Sequence, residues 1–383
     1  MNLFKWRKKQ PDSGPRAIFD IRPRSISVAL VEIHNGYLRV IWSQRQSVQT
    51  EEHQHGNMYL RAVGKTLEDL YKKLYTVGRA HLRALSNTDQ IDTVSFVLSS
   101  PWSHDQVVKS RISGPRYFVP HHDHVRRAGR LAYNEFSHAG EYDLLPLTER
   151  VTGLYGDGQL IRFPHDDPIR ELELQMHVSK MPKDFSQIIE RVAARFHHPD
   201  KISFHSSADV TGRVFSRAFA HPTDFLLVLP EHNQTDLILV EGGRVSGIEN
   251  LPIGEDFLLT AMGQAFSRPV TDVRSRLNLH YGQKLSDHSQ EVSVALEEIS
   301  NRWQELFHEA LRRLTKNPPE SSYFLAEGRE HKPAFESFFL SAVESLPDMQ
   351  TYVVDDNLFT DHFLEYKNID CTLAVSILGV EVY

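Results

Sequence analysis

Cysteine is almost missing from this chain: Cys371 is the one cysteine in 383 residues. A lone thiol excludes an intrachain disulfide framework and any multi-cysteine zinc or iron–sulfur centre, and it points to an intracellular chain. Long apolar runs are missing too, since no stretch reaches the roughly 18 residues of a membrane-spanning helix. The chain has no Gly-x-Ser-x-Gly elbow, no Walker turn and no Gly-x-Gly-x-x-Gly, which removes the common signatures of hydrolases, P-loop enzymes and dinucleotide binders. It also has no basic excess. With 43 Lys and Arg against 50 Asp and Glu, the formal charge is -7, which argues against nucleic acid as a partner. What is present is 40% hydrophobic and 24% charged, an ordinary globular composition long enough for two or three domains.

The first ten residues, MNLFKWRKKQ, place Lys5, Arg7, Lys8 and Lys9 around Phe4 and Trp6. A secretory signal needs an apolar stretch next, and PDSGP follows instead. Two readings stand: a solvated basic end, or a weak interfacial anchor with two rings inserted and four cations facing anionic lipid. One short segment anchors only marginally, which favours the first.

Beyond the tail, residues 26–33 are rich in β-branched side chains, His34-Asn35-Gly36 supplies a turn, and 37–42 resume as a strand, so a hairpin is expected. Leu60, Val63, Leu67, Leu70, Leu74 and Val77 recur at steps of three and four, the spacing of an amphipathic helix. Residues 92–100 read as another strand. From 101 to 207 the histidine content rises and apolar runs shorten. A helix over 122–136, strands over 171–179 and 201–207, and a helix over 184–196 suggest a small α+β insertion there, with Trp102-Ser103-His104-Asp105 as a polar loop at its start.

The opening plan then returns. Residues 224–230 and 235–254 give strand, strand, a Gly242-Gly243 turn and strand. Val292, Leu296, Ile299, Trp303, Leu306, Ala310 and Leu314 mark a helix that Asn317-Pro318-Pro319 stops. Residues 321–328 read as strand into turn, and the apolar run 371–383 as a last strand. Two similar α/β halves around a cleft are expected. The boundaries are a basic tail and linker over 1–15, a first half over 16–100, the insertion over 101–207 and a second half over 208–383.

This duplicated layout resembles the actin-like ATPase superfamily, whose fold is a ribonuclease H-like pair of α/β halves. Within it the chain is most similar to the cell-division FtsA family and more loosely to the pilus-assembly PilM family. FDIRPRSISVALVE, residues 19–32, stands where FtsA-like proteins carry Asp-Ile-Gly and small hydroxyl residues. FLLVLPEHNQTDLILVEGGRV stands at their second phosphate turn, LPIG at the following Pro-x-Gly, and YFLAEG at the adenosine-side glycine turn. YGDGQLIRFPHDDPIRELELQMHV, residues 155–178, resembles the inserted FtsA subdomain.

The resemblance implies an ATP and magnesium site whose remnant is Asp20, Ser25, Ser27, Thr235, Asp236, Gly254 and Gly328. The departures imply a weakened one. Arg22-Pro23-Arg24 replaces the first glycine turn, and Pro23 has no N–H to offer a phosphate. Leu229 stands at the second carboxylate, Glu231 at a glycine, and Glu327 at the first glycine of the adenosine pair. Each lost charge-assisted contact costs about 1.5–3 kcal/mol, so several together remove four or more decades of affinity. Arginine forks at Arg22 and Arg24 offer replacement phosphate contacts. Asp20 has a plainer reading as a turn-capping residue.

The expected function is therefore an FtsA-like scaffold with no hydrolysis, contacting FtsZ and pairing through its insertion at the inner face of the membrane. The alternatives are a PilM-like adaptor docking on an inner-membrane pilus protein, and an active ATPase. The chain ends SILGVEVY, without the amphipathic helix by which FtsA holds the membrane.

Histidine clusters at His53/His55, at His121/His122/His124 with Asp123, and at His197/His198 are read as surface histidines rather than a metal site. Ser206 and Ser207 beside His205 are adjacent in sequence, which does not make a triad.

Overall fold

The computed structural model describes residues 13–48, 57–137, 143–218, 223–281, 289–326, 332–346, 348–364 and 369–381. The N-terminal basic cluster, His53, His55, Glu327 and Gly328 lie outside them.

Three antiparallel strands open the chain: β1 (Ser13–Ile21), β2 (Ser25–His34) and β3 (Tyr37–Ser47). The β2–β3 hairpin turns on Asn35 and Gly36, both at positive φ (53° and 80°), as a two-residue turn of this twist demands. Helix α1 (Asn57–Lys73) continues through a π-turn at Leu74–Gly78 into α2 (Arg79–Ser86). The π-turn inserts one residue into the helical count. Val77, expected on the buried face, is 46% exposed, while Gly78 sits flush against the Trp42 ring. Strand β4 (Thr93–Leu98) then pairs parallel to β1.

Next comes the insertion: β5 (His104–Phe118), α3 (His122–Ser137), β6 (Leu144–Gly156), β7 (Gln159–Leu160) and β8 (Ile169–Pro182). These strands form their own sheet in the order β5-β8-β6-β7, with α3 packed on one face. Its start is not a polar loop. Trp102 is buried and stacks on Phe185 at 4.2 Å between ring centres, and Ser103 is buried beneath it. The large apolar area of the tryptophan draws this stretch inward, while His104 stays exposed and Asp105 half-buried.

After the insertion the chain rejoins the first half through α4 (Lys183–Ala193), β9 (Ile202–Ser206) and α5 (Ser207–Ala218). Strand β9 pairs parallel to β4, so residues 183–206, grouped with the insertion by sequence, add the outer strand and a covering helix to the first sheet, β3-β2-β1-β4-β9.

The second half repeats this order. It comprises β10 (Phe225–Pro230), β11 (Thr235–Glu241), β12 (Arg244–Leu251), α6 (Glu255–Phe266), α7 (Val270–Tyr281), α8 (Ser289–Leu314), β13 (Ser321–Phe324), α9 (Lys332–Val343), β14 (Gln350–Val353) and α10 (Cys371–Glu381). Its sheet runs β12-β11-β10-β13-β14, the same connectivity strand for strand.

The last element corrects the sequence reading: residues 371–381 form a helix, not a strand. Nearly every residue of α10 is buried, including Leu373, Ala374, Ile377 and Leu378, because it lies with α5 between the two sheets. A helix covered on all sides has no polar stripe, so its run looks like that of a buried strand. Its counterpart in the first half is α5, and the two cross closely. A Cβ on Gly379 would come within 2.3 Å of Val210. The core that joins the halves is thus α5 and α10 packed against Ile18, Ala29 and Val97 of one sheet and Leu227, Ile238 and Val240 of the other.

Candidate functional site

The two equivalent turns, β1–β2 and β10–β11, face one another across the junction of the halves. In the first, the Arg22 N–H donates to the Ser25 carbonyl at 2.9 Å and the Tyr59 hydroxyl donates to the Pro23 carbonyl. In the second, the Glu231 N–H donates to the Gln234 carbonyl at 2.8 Å. The start of α6 folds against this turn, with Glu255 N–H donating to the Glu231 carbonyl at 3.1 Å and Asp256 N–H to that of His232 at 2.8 Å. Gly254 makes this approach possible, since a Cβ there would fall 2.4 Å from Gln234 N.

Arg22 bridges the turns. Its Nε donates to Asp20 Oδ2 at 3.0 Å, and its Nη1 donates to Glu231 Oε1 at 2.7 Å. All three are buried, at 4%, 2% and 7% exposure. A second tier lies outside. Arg24 Nε donates to His232 Nε2 at 3.2 Å, its Nη1 to Glu255 Oε1 at 3.4 Å, and its Nη2 lies 3.6 Å from Asp256. Arg274 also donates to Glu255, at 3.2 Å. Arg22, Arg24 and Arg274 therefore face Asp20, Glu231, Glu255 and Asp256. Three guanidinium groups and four carboxylates thus meet across the two turns.

The sequence-derived candidates are partly brought together. Asp20 closes β1 and is an ion-pair partner of Arg22, not a turn cap. Burial raises its pKa against the opposing pull of the Arg22 charge, and among the described residues its Oδ1 has no hydrogen-bond partner. Ser27 lies opposite Asp20 in the β1–β2 register, and the Ser25 hydroxyl accepts from Arg45 at 3.1 Å. Arg45 also reaches Asp370 at 2.6 Å, the residue that caps α10 through the Leu373 N–H. Thr235 faces away from the turns: its hydroxyl donates to the Ile253 carbonyl at 2.7 Å and accepts from the Trp303 indole at 3.3 Å.

Asp236 lies apart from Asp20. It borders a polar cleft of about 380 Å³ shared with Ser100, Asp105 and Asn250. Burial pushes its carboxyl up to about 6 against the lowering effect of hydrogen bonds from Gln234 and Asn250, the latter at 2.7 Å.

Behind that cleft is a network the sequence did not reveal. His177 on β8 is fully buried, with Nε2 at 2.8 Å from Asp105 and Nδ1 at 3.5 Å from Asp209. Burial alone would lower the imidazole, but the two carboxylates hold it up at about 9. Asp209 is brought down to about 2 against its own burial by His177, Arg213 and Arg150. The Ser206 hydroxyl donates to Asp105, and Arg213 donates to the Gly379 carbonyl at 3.0 Å. The network thus fastens the insertion to α5 and α10. Of the remaining histidines, the His121 N–H donates to His124 at the start of α3, and His197 meets the Tyr75 hydroxyl at 2.8 Å.

No protein-family model matches the chain, and no curated protein does. Among solved structures, a PilM-PilN type IV pilus biogenesis complex superposes with a TM-score of 0.59 over 96% of this chain and 98% of that one, at 12% identity. The fold is that of the actin-like ATPases. The ethanolamine utilization protein EutJ from Carboxydothermus hydrogenoformans matches with a TM-score of 0.46 over 97% of this chain and 91% of that one, at 8% identity. A Bacteroides thetaiotaomicron protein described as having an actin-like ATPase fold matches at 0.42 over 89% and 90%, at 7% identity. No helix among the described residues is long and apolar enough to cross a membrane.

Proposed function

We propose that this protein is a PilM-type adaptor that works without nucleotide turnover, holding the cytoplasmic segment of an inner-membrane pilus protein. The observation that carries it is the buried Arg22–Glu231 pair at 2.7 Å, spanning the halves at the two turns where the resemblance puts ATP phosphates. Arg22 and Glu231 take the places of phosphate-binding glycines, and the guanidinium is matched inside the protein instead of by a ligand. Asp20, Ser25, Ser27, Thr235 and Gly254 are then structural remnants of a nucleotide site. The full-length superposition on the PilM-PilN complex supports the pilus reading over the cell-division one.

The test is thermal unfolding with and without millimolar Mg-ATP. A ligand at a hundred times its Kd adds about 2.7 kcal/mol, several degrees for a chain of this size. The expected shift is none, and a shift abolished by Asp20→Ala overturns the nucleotide-free reading. Binding of the purified protein to a PilN-like cytoplasmic segment, with none to FtsZ, is the expected partner result. The reverse pattern returns the protein to cell division.

A further inference from the structure

A second concave surface lies on the outer face of the first sheet, where α1 and α4 pack together. Gly64 lies against Ile188, with a Cβ there only 3.0 Å from the isoleucine methyl, and Arg195 reaches Glu68 at 2.8 Å. The two helices therefore run in the same direction and approach closely, and the groove along their seam has a volume of about 600 Å³. Its floor is aliphatic, from Leu60, Ile188 and Val192.

The rim is basic. Arg61 and Lys65 stand one turn apart on α1, Arg191 faces them from α4, and all three are exposed. None of these three makes an ion pair among the described residues. Of the two carboxylates at the groove, Glu68 is already engaged by Arg195 and by Lys72 at 3.5 Å, and Asp184 sits in the first turn of α4, where the helix dipole favours it. The N-termini of both helices lie at the same end of the groove and add to the positive field there. On a chain whose net charge is -7, an uncompensated basic groove stands against the background.

We propose that the α1–α4 groove docks an acidic amphipathic peptide segment of a partner protein. Apolar side chains of the segment cover Leu60, Ile188 and Val192, and its carboxylates pair with Arg61, Lys65 and Arg191. The concavity selects a peptide: a bilayer surface is too flat to reach the aliphatic floor between two helices, whereas a helix or extended segment lays one face into such a groove. The surface is independent of the nucleotide question and of the pilus reading.

The probe is a fluorescent synthetic peptide of about fourteen residues, with leucines on one helical face and glutamates on the other, titrated against the full chain. The expected result is binding with a Kd of order tens of micromolar that weakens as salt rises. Arg61→Glu combined with Arg191→Glu weakens it by about tenfold or more, and so does replacing every peptide glutamate by glutamine. A photoreactive residue on the peptide's leucine face cross-links wild-type protein within α1 or α4, a readout that needs no variant to fold. No binding by wild type, equal affinity for the charge-reversed protein, cross-links elsewhere, or preferential binding of anionic phosphatidylglycerol vesicles would each overturn the proposal.

Discussion

The two halves have the same strand order and connectivity, yet their equivalent turns carry opposite charge. The β1–β2 turn reads Arg22-Pro23-Arg24; the β10–β11 turn opens with Glu231 and is backed by Glu255 and Asp256. In a site built to share a ligand, both turns would present N–H donors and small residues to the same anion. Here each turn supplies what the other lacks, so the halves satisfy one another directly. The difference teaches that duplication fixes where two turns meet, while the side chains decide whether anything can come between them.

The severest way to break this complementarity is Arg22→Ala, which removes the buried guanidinium that joins Asp20 to Glu231. Breaking a buried pair this way costs about 3–5 kcal/mol. Urea unfolding should show that loss, and Arg22→Ala with Glu231→Ala should lose less than the two single changes summed. Additive losses would mean that the two turns are not coupled.

In the second turn the start of α6 is packed tightly against the loop at Gly254, and Gly254→Ala tests that approach. A methyl 2.4 Å from a backbone nitrogen forces the α6 start off the turn, for a loss of about 1–3 kcal/mol in the same assay.

The smallest effect concerns the insertion, which the first half has and the second lacks. His177 has its folded-state pKa raised to about 9, so its stabilising contribution is fully present below its unfolded value of about 6.5 and is lost as pH rises through 9. Asp209 behaves oppositely: held at about 2, it contributes above its ordinary value near 3.8 and loses that contribution as pH falls through 2. The melting temperature should decline by a few degrees between pH 7 and about 10, and His177→Gln should flatten that decline.

Much of the fold was legible because surface-lying elements keep their periodicity. The apolar stripe of α8 from Val292 to Leu314 and the two hairpin turns were readable in this way. The insertion was less so. Along β8, Leu172, Leu174, Met176 and Val178 alternate with Gln175, His177 and Ser179, a pattern that reads as one buried and one wet face. Both faces are in fact buried, because β12 lies against the polar one, its Ser246 carbonyl accepting from Gln175 at 3.0 Å, and α5 supplies Asp209 to His177. The candidate site was legible as a list of departures from glycine and carboxylate, but not as an ion pair. Arg22 and Glu231 lie 209 positions apart, and nothing local in either turn names its partner.

By itself, the sequence determined the repeated strand–turn–strand–helix order, the charge of each turn and the loss of an N–H donor at Pro23. These are consequences of local propensity and residue chemistry, which act over a few positions. Tertiary structure alone decided that the final apolar run is a helix, that residues 183–206 complete the first sheet, and that Arg22 meets Glu231 inside the junction. Those outcomes depend on what covers each segment from distant parts of the chain, because burial on every side erases periodicity and a charge finds its partner only through space.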